Sequence, residues 1–184
     1  TWTRFVTQPA LLALGALELY LVRRHPMLFN RFATGLVGGV AASAALDVVR
    51  LPFAVFVKGA PDWVPMLGQT LIRETVGIAP TPTAALLGYG YHYLLIGALA
   101  GATYSLLVGR GHWQWAMSAG GLVGLAFIAL PQARLLAFAS GFDPVVAGAV
   151  WMCAFLTAGA VLGLVVQALG RTEANALYVV FLRE

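Results

Sequence analysis

One run of 23 residues, Gly35 to Val57, reads GLVGGVAASAALDVVRLPFAVFV and carries charge only at Asp47 and Arg50. A helix of about 20 apolar residues crosses the roughly 30 Å hydrocarbon core of a bilayer. A charge at that depth costs about 3 kcal/mol on insertion scales, so two charges spaced three apart need partners or a task. The run therefore constrains the fold twice. It requires lipid around the helix and something polar inside the bundle.

The rest of the chain agrees. Of 184 residues, 60% are hydrophobic and 10% are charged, whereas soluble domains carry about 25% charged residues. Four segments of spanning length stand out: Ala33–Val57, Thr83–Val108, Trp113–Leu130 and Pro144–Leu169. A fifth and shorter one, Phe5–Val22, holds Thr7, Gln8 and Pro9 early and Glu18 late. No secretory cleavage pattern follows it, so it reads as a retained span. Glu18, one turn from Arg23, is expected to lean towards the inner interface. Pro52 is placed to kink the first long span near its end, and Pro131 to end the third.

The expected fold class is all-α: a polytopic transmembrane helical bundle. Residues 1–31 would form an N-terminal transmembrane helix with a basic cytoplasmic link. Residues 32–171 would be a four-helix core with an outer loop at 58–82, and 172–184 a short tail. Within that loop, Asp62-Trp63-Val64-Pro65 has the capping aspartate and early proline of a helix start. Val64, Leu67, Leu71 and Ile72 would line one face of a short amphipathic helix on the outer surface, with Gln69, Thr70, Arg73 and Glu74 opposite.

Arginines in short links set orientation. Arg23, Arg24 and Arg31 fall in one link, Arg110 in another, and Arg171 and Arg183 in the tail. This places residues 23–31, 109–112 and the C-terminus in the cytoplasm of a multi-pass protein of the bacterial inner membrane.

Short matches recur in the same order along the chain. GLVG opens the spans at 35 and 121, and Gly-x-x-Pro precedes the second and fourth spans at 77–80 and 141–144. GALAGATYSLLVGR at 97–110 parallels GAVLGLVVQALGR at 159–171. The pattern predicts two tandem hairpins related by an internal duplication. Small residues also step by four along each span: Gly35, Gly39 and Ser43; Gly97, Gly101 and Ser105; Gly120 and Gly124; Gly159 and Gly163. Close approach of small residues drives helix association in lipid, so these ridges are expected to meet at the bundle centre.

Asp47 extends the ridge of its helix and should point inward. Arg50 shares its face, and His92 lies at similar depth in the next span. Tyr89 and Tyr93 can close a cluster of Asp47, Arg50 and His92, with Gln132 and Arg134 approaching from the third span. Two readings stand: a head-group pocket or proton-path step, or an internally neutralised pair with a bystander histidine. Haem is disfavoured, because His25 and His112 belong to links and leave His92 alone. Cys153 is the single cysteine, and no metal-ligand spacing, nucleophile set or phosphate loop is visible. The catalytic and metal sets are therefore empty and no cofactor is predicted; a bound lipid or quinone suits such a bundle. Nucleic acid is not expected as a partner, since no basic cluster interleaves with aromatics.

Asp47-x-x-Arg50-x-Pro52, then Gly88-x-Gly90-Tyr91-His92-Tyr93 and Gly97-x-x-x-Gly101, resembles small four-helix bacterial inner-membrane proteins of unknown function over about residues 31–171. The resemblance implies an architecture and no activity. The expected role is a non-catalytic accessory subunit packed among other membrane protein subunits, as in a respiratory or photosynthetic complex. The alternative is a small homo-oligomeric channel or transporter using the Asp47–Arg50–His92 cluster.

Overall fold

The computed structural model describes residues 8–56, 62–75, 79–129 and 143–171. Every regular element among them is helical. The expectations for Pro131, Gln132, Arg134, Gly77, Gly141, the first seven residues and the tail from 172 onwards lie outside the described residues.

α1 (Gln8–Arg24) leads through a single 3-10 turn (Pro26–Leu28) into α2 (Phe29–Phe56). α2 continues through Pro52 to Phe56. α3 (Trp63–Ile72) is followed by α4 (Pro82–Gly90), a π-helical stretch (Tyr91–Gly97) and α5 (Ala98–Leu107), which together form one continuous rod. α6 (Trp113–Ala129) and α7 (Pro144–Leu169) complete the order. Sequence chemistry sets the starts. The side chains of Asp62, Thr81 and Asp143 each cap a helix by accepting a backbone N–H, and a proline follows Thr81 and Asp143 at once; such prolines lack only an N–H that the first turn cannot use.

Among the described residues, three helical stretches are long and apolar enough to cross a membrane: Pro26–Phe56, Pro82–Leu107 and Pro144–Leu169. α6 is apolar but shorter, with 17 described residues, and α1 also has 17. Polarity is arranged inside out. Val48, Leu86, Leu122 and Val145 are 73%, 74%, 68% and 78% exposed, while Ser43, Asp47, Arg50 and Ser105 are all 5% exposed or less. Water would reverse that choice, whereas lipid favours it. The chain is built as a membrane protein.

The glycine ridges meet in pairs rather than at one centre. α2 packs antiparallel on α5, where a methyl group on Gly39 would overlap the Gly97 carbonyl and one on Gly101 the Gly35 carbonyl. α6 packs antiparallel on α7, where Gly120 abuts the Phe155 carbonyl and Gly159 the Ala116 carbonyl. The faces of α2 and α7 that join these two pairs carry Ala42, Leu46, Ala154 and Ala158, with Gly38 against Leu162, instead of the stepped ridges. Each glycine ridge is consumed by its own antiparallel neighbour, so no ridge remains for a common centre.

A third glycine crossing explains a further difference. Gly68 of α3 abuts the Ala84 carbonyl of α4, and Gly88 abuts the Val64 carbonyl. α3 is therefore a docked helix and not a surface float with a wet polar side. Gln69, expected on the polar face, is 1% exposed, whereas Ile72, expected on the apolar face, is 37% exposed. The α3 C-cap is Arg73 in the left-handed region (φ 64°), and its N–H bonds the Gln69 carbonyl.

Two charged residues also depart from expectation. Arg31 is not in a wet link. It lies inside the first turn of α2, is 1% exposed, and packs its guanidinium beside Gly109. Glu18 does not lean towards Arg23. It is 3% exposed and hydrogen-bonded to Thr103 of α5.

Candidate functional site

The geometry of one helical turn brings Asp47 and Arg50 together. Arg50 donates from Nε (3.0 Å) and from its second terminal nitrogen (2.7 Å) to the same oxygen, Asp47 Oδ1. A guanidinium is a planar fork and suits such forked bonding to a carboxylate. Its remaining terminal nitrogen reaches across to Asp62 Oδ1, at the start of α3. Arg50 therefore joins two carboxylates from two helices, and both Arg50 and Asp47 have side chains under 5% exposed. Asp62 is more open, with a side chain 30% exposed.

The rod after α3 supplies the rest. Tyr89, His92 and Tyr93 recur at three- and four-residue spacing and face α2 and α3 together. Tyr93 donates its hydroxyl to Asp47 Oδ2 (2.9 Å), and Tyr89 donates to Asp62 Oδ2 (3.3 Å). Asp62 Oδ1 also accepts the Val64 N–H (3.3 Å) as the helix cap. One aspartate thus ends a helix and completes an ion pair.

His92 is different. It is 3% exposed, its Nε2 is 3.8 Å from Asp47 Oδ1, and neither ring nitrogen makes a well-formed hydrogen bond. It lies in the π-helical stretch Tyr91–Gly97. Such stretches shift the ladder from i+4 to i+5 and occur often at functional sites. Trp63 meets the imidazole edge-on, with ring centroids 5.1 Å apart.

Trp63 extends the cluster sideways. Its ring lies 5.8 Å from Trp151 of α7 and 6.2 Å from Phe127 of α6. The Arg50 guanidinium lies over the same indole at 5.9 Å, within reach of a cation–π attraction. The start of α3 is thus wedged against all the long helices that form the core.

All five residues expected at the cluster, Asp47, Arg50, Tyr89, His92 and Tyr93, converge. Asp62, Trp63, Trp151 and Phe127 join them unforeseen. The Asp62 signal was present in its capping pattern, but nothing in the spacing tells that a cap aspartate also meets Arg50. Among the described residues, no group of three or more His, Cys, Asp or Glu is arranged to hold a metal ion.

No protein family, curated protein or solved structure matches the chain. The site is therefore read from its own chemistry alone.

Proposed function

We propose that this protein is a non-catalytic integral membrane subunit that packs within a larger membrane complex. The supporting observation is how the buried charges are spent. Asp47, Arg50, Asp62, Tyr89 and Tyr93 direct their hydrogen bonds at one another, so the cluster acts as an internal clasp between α2, α3 and the rod from α4 to α5. In our reading four spans form two tandem hairpins in a bacterial inner membrane, with the C-terminus cytoplasmic. Extraction in mild detergent tests the role. Co-migration with a large assembly is expected, and recovery solely as free copies of this chain overturns it. A reporter fused at Glu184 tests the topology and should report from the cytoplasm.

A second reading, a homo-oligomeric channel or transporter, draws on His92. With both carboxylates ionised and His92 neutral, the cluster of Asp47, Asp62 and Arg50 carries one net negative charge, and a proton on His92 would balance it. That reading predicts proton or solute flux in liposomes that Asp47→Asn and His92→Ala abolish. Unchanged flux in both variants rejects it.

A further inference from the structure

Glu18 stands apart from the clasp. It lies on α1, whose contacts with the core are few, and its carboxyl group is turned inward against α5. Around it the fit is close. Gly15, one turn earlier, rests on Leu99 of α5, and Val22, one turn later, packs with Leu28 and Leu106. No Lys, Arg or His pairs with it among the described residues. An ionised carboxylate without a counter-charge is the costliest group to bury at membrane depth.

Two short contacts at Thr103 draw on the same hydroxyl and bear on its state. The Thr103 Oγ1 is 2.5 Å from Glu18 Oε1 and 2.9 Å from the Leu99 carbonyl oxygen. A hydroxyl has one proton to donate. The Leu99 carbonyl can only accept. If Thr103 donates to Leu99, in the i−4 bond common for helical threonine, then the short contact with Glu18 needs a proton on the carboxyl group. Glu18 then donates to Thr103, and Thr103 to Leu99, so each short contact holds one proton. If Glu18 were ionised, Thr103 would have to turn to it, leaving two facing oxygens without a proton towards Leu99. Glu18 Oε2 would also be a charged oxygen with no hydrogen-bond partner among the described residues.

The geometry points to Glu18 as a buried proton-binding site at the α1–α5 interface, occupied when α1 is docked and emptied when α1 lifts from the core. Its ligand is a single proton. Among the described residues no ion pair reaches Glu18 from α2, α5 or the 3-10 turn, and its hydrogen-bond partner is Thr103 on α5. Loss of the proton creates a buried charge that a single Thr103 hydroxyl cannot fully satisfy and that draws in water, so deprotonation and undocking are coupled.

The site makes a chemical prediction. A hydrophobic carbodiimide reacts with a protonated carboxyl group in an apolar setting. The carboxyl oxygen bonds the central carbon of the reagent, the acid proton passes to a carbodiimide nitrogen, and the adduct rearranges to a stable N-acylurea. The full-length protein in liposomes should carry dicyclohexylcarbodiimide at Glu18 when mapped by mass spectrometry, with labelling several-fold stronger at acidic than at alkaline pH. Disulfide trapping gives the conformational arm. In a Cys153→Ser background oxidised with diamide, Gly15→Cys with Leu99→Cys should cross-link less as pH rises relative to the same pair carrying Glu18→Gln, which copies the neutral acid and takes no label. The comparison cancels the pH dependence of the thiols themselves. Absence of label on Glu18, or trapping that follows the same pH course with Glu18 as with Gln, overturns the proposal. The labelling keeps the native glutamate, so a Gln variant that failed to fold would not shield it.

Discussion

Arg50 and Asp62, twelve residues apart, are bonded side chain to side chain, so that the end of α2 holds the start of α3. This pairing changes what each charge is worth. Asp47 gives Arg50 a buried partner, and Asp62 gives it a second one nearer to the surface. The three groups must therefore be tested as a set.

Arg50→Leu should be more damaging than Asp47→Leu. Breaking a buried ion pair by removing one partner costs about 3–5 kcal/mol, because the other charge is stranded. Removing Arg50 strands Asp47, which is 2% exposed. Removing Asp47 leaves Arg50 still bonded to Asp62. The double variant Asp47→Leu/Arg50→Leu should be more stable than Arg50→Leu alone, with a coupling of about 0.5–3 kcal/mol. Thermal unfolding of the four proteins in one detergent provides the cycle. Additive losses would show that the pair is not a unit.

The two jobs of Asp62 can be separated. Asp62→Asn keeps a side-chain acceptor for the Val64 N–H but loses the charge that faces Arg50. Asp62→Ala loses both, and a lost N-cap costs about 1 kcal/mol. Hydrogen exchange across residues 63–72 should therefore speed up in Asn and more so in Ala, while α6 and α7 keep their protection. Equal exchange in the two variants would mean that the cap contributes nothing.

The glycines fall into two groups that substitution will tell apart. Gly39→Val, Gly97→Val, Gly120→Val and Gly159→Val each push a side chain into backbone or tightly packed atoms of the facing helix. Helix pairs in lipid rely on that closeness, so these variants should lose compact migration and melt at lower temperature. Gly90 has nothing within 4 Å of where a methyl group would sit. Gly90→Ala should be tolerated, with a gain of up to about 1 kcal/mol from helix propensity. A Gly90→Ala variant as damaged as Gly39→Val would sink the packing account.

Hydropathy and spacing reach some of this structure and stop at identifiable points. Proline and capping residues mark the helix starts at Trp63, Pro82 and Pro144, because those signals are local. The i, i+3 spacing suffices to set Asp47 beside Arg50, and helical rise sets His92 at their depth. Which glycine ridge meets which is not local. Each ridge pairs with its antiparallel neighbour, and a stepped glycine pattern is the same whichever partner it finds. The burial of Gln69 follows from the crossing of Gly68 and Gly88, which amphipathic counting ignores. The burial of Glu18 follows from Thr103, 85 residues away. The π-helical register at Tyr91–Gly97 leaves no trace in hydropathy, and neither does the wedge made by Trp63.

The turn after α5 offers the last test. Gly109 has φ +70° and its N–H bonds the Ser105 carbonyl at 3.0 Å, the left-handed close that glycine gives a helix end. A side chain there faces two separate penalties. The left-handed conformation costs an L-residue about 1–2 kcal/mol. The new methyl group would also run into the Arg31 guanidinium, which the fold buries in the first turn of α2. Gly109→Ala should therefore be clearly destabilised, whereas Gly111→Ala, which meets Val108 Cγ1 at 3.4 Å and Trp115 Cδ1 at 3.9 Å in ordinary contact, should stay near wild type. The two penalties separate in an Arg31→Ala background. With the guanidinium gone, adding Gly109→Ala should cost only the backbone share of about 1–2 kcal/mol. If the increment is as large there as in the presence of Arg31, then backbone conformation alone decides this position and Arg31 does not pack against it.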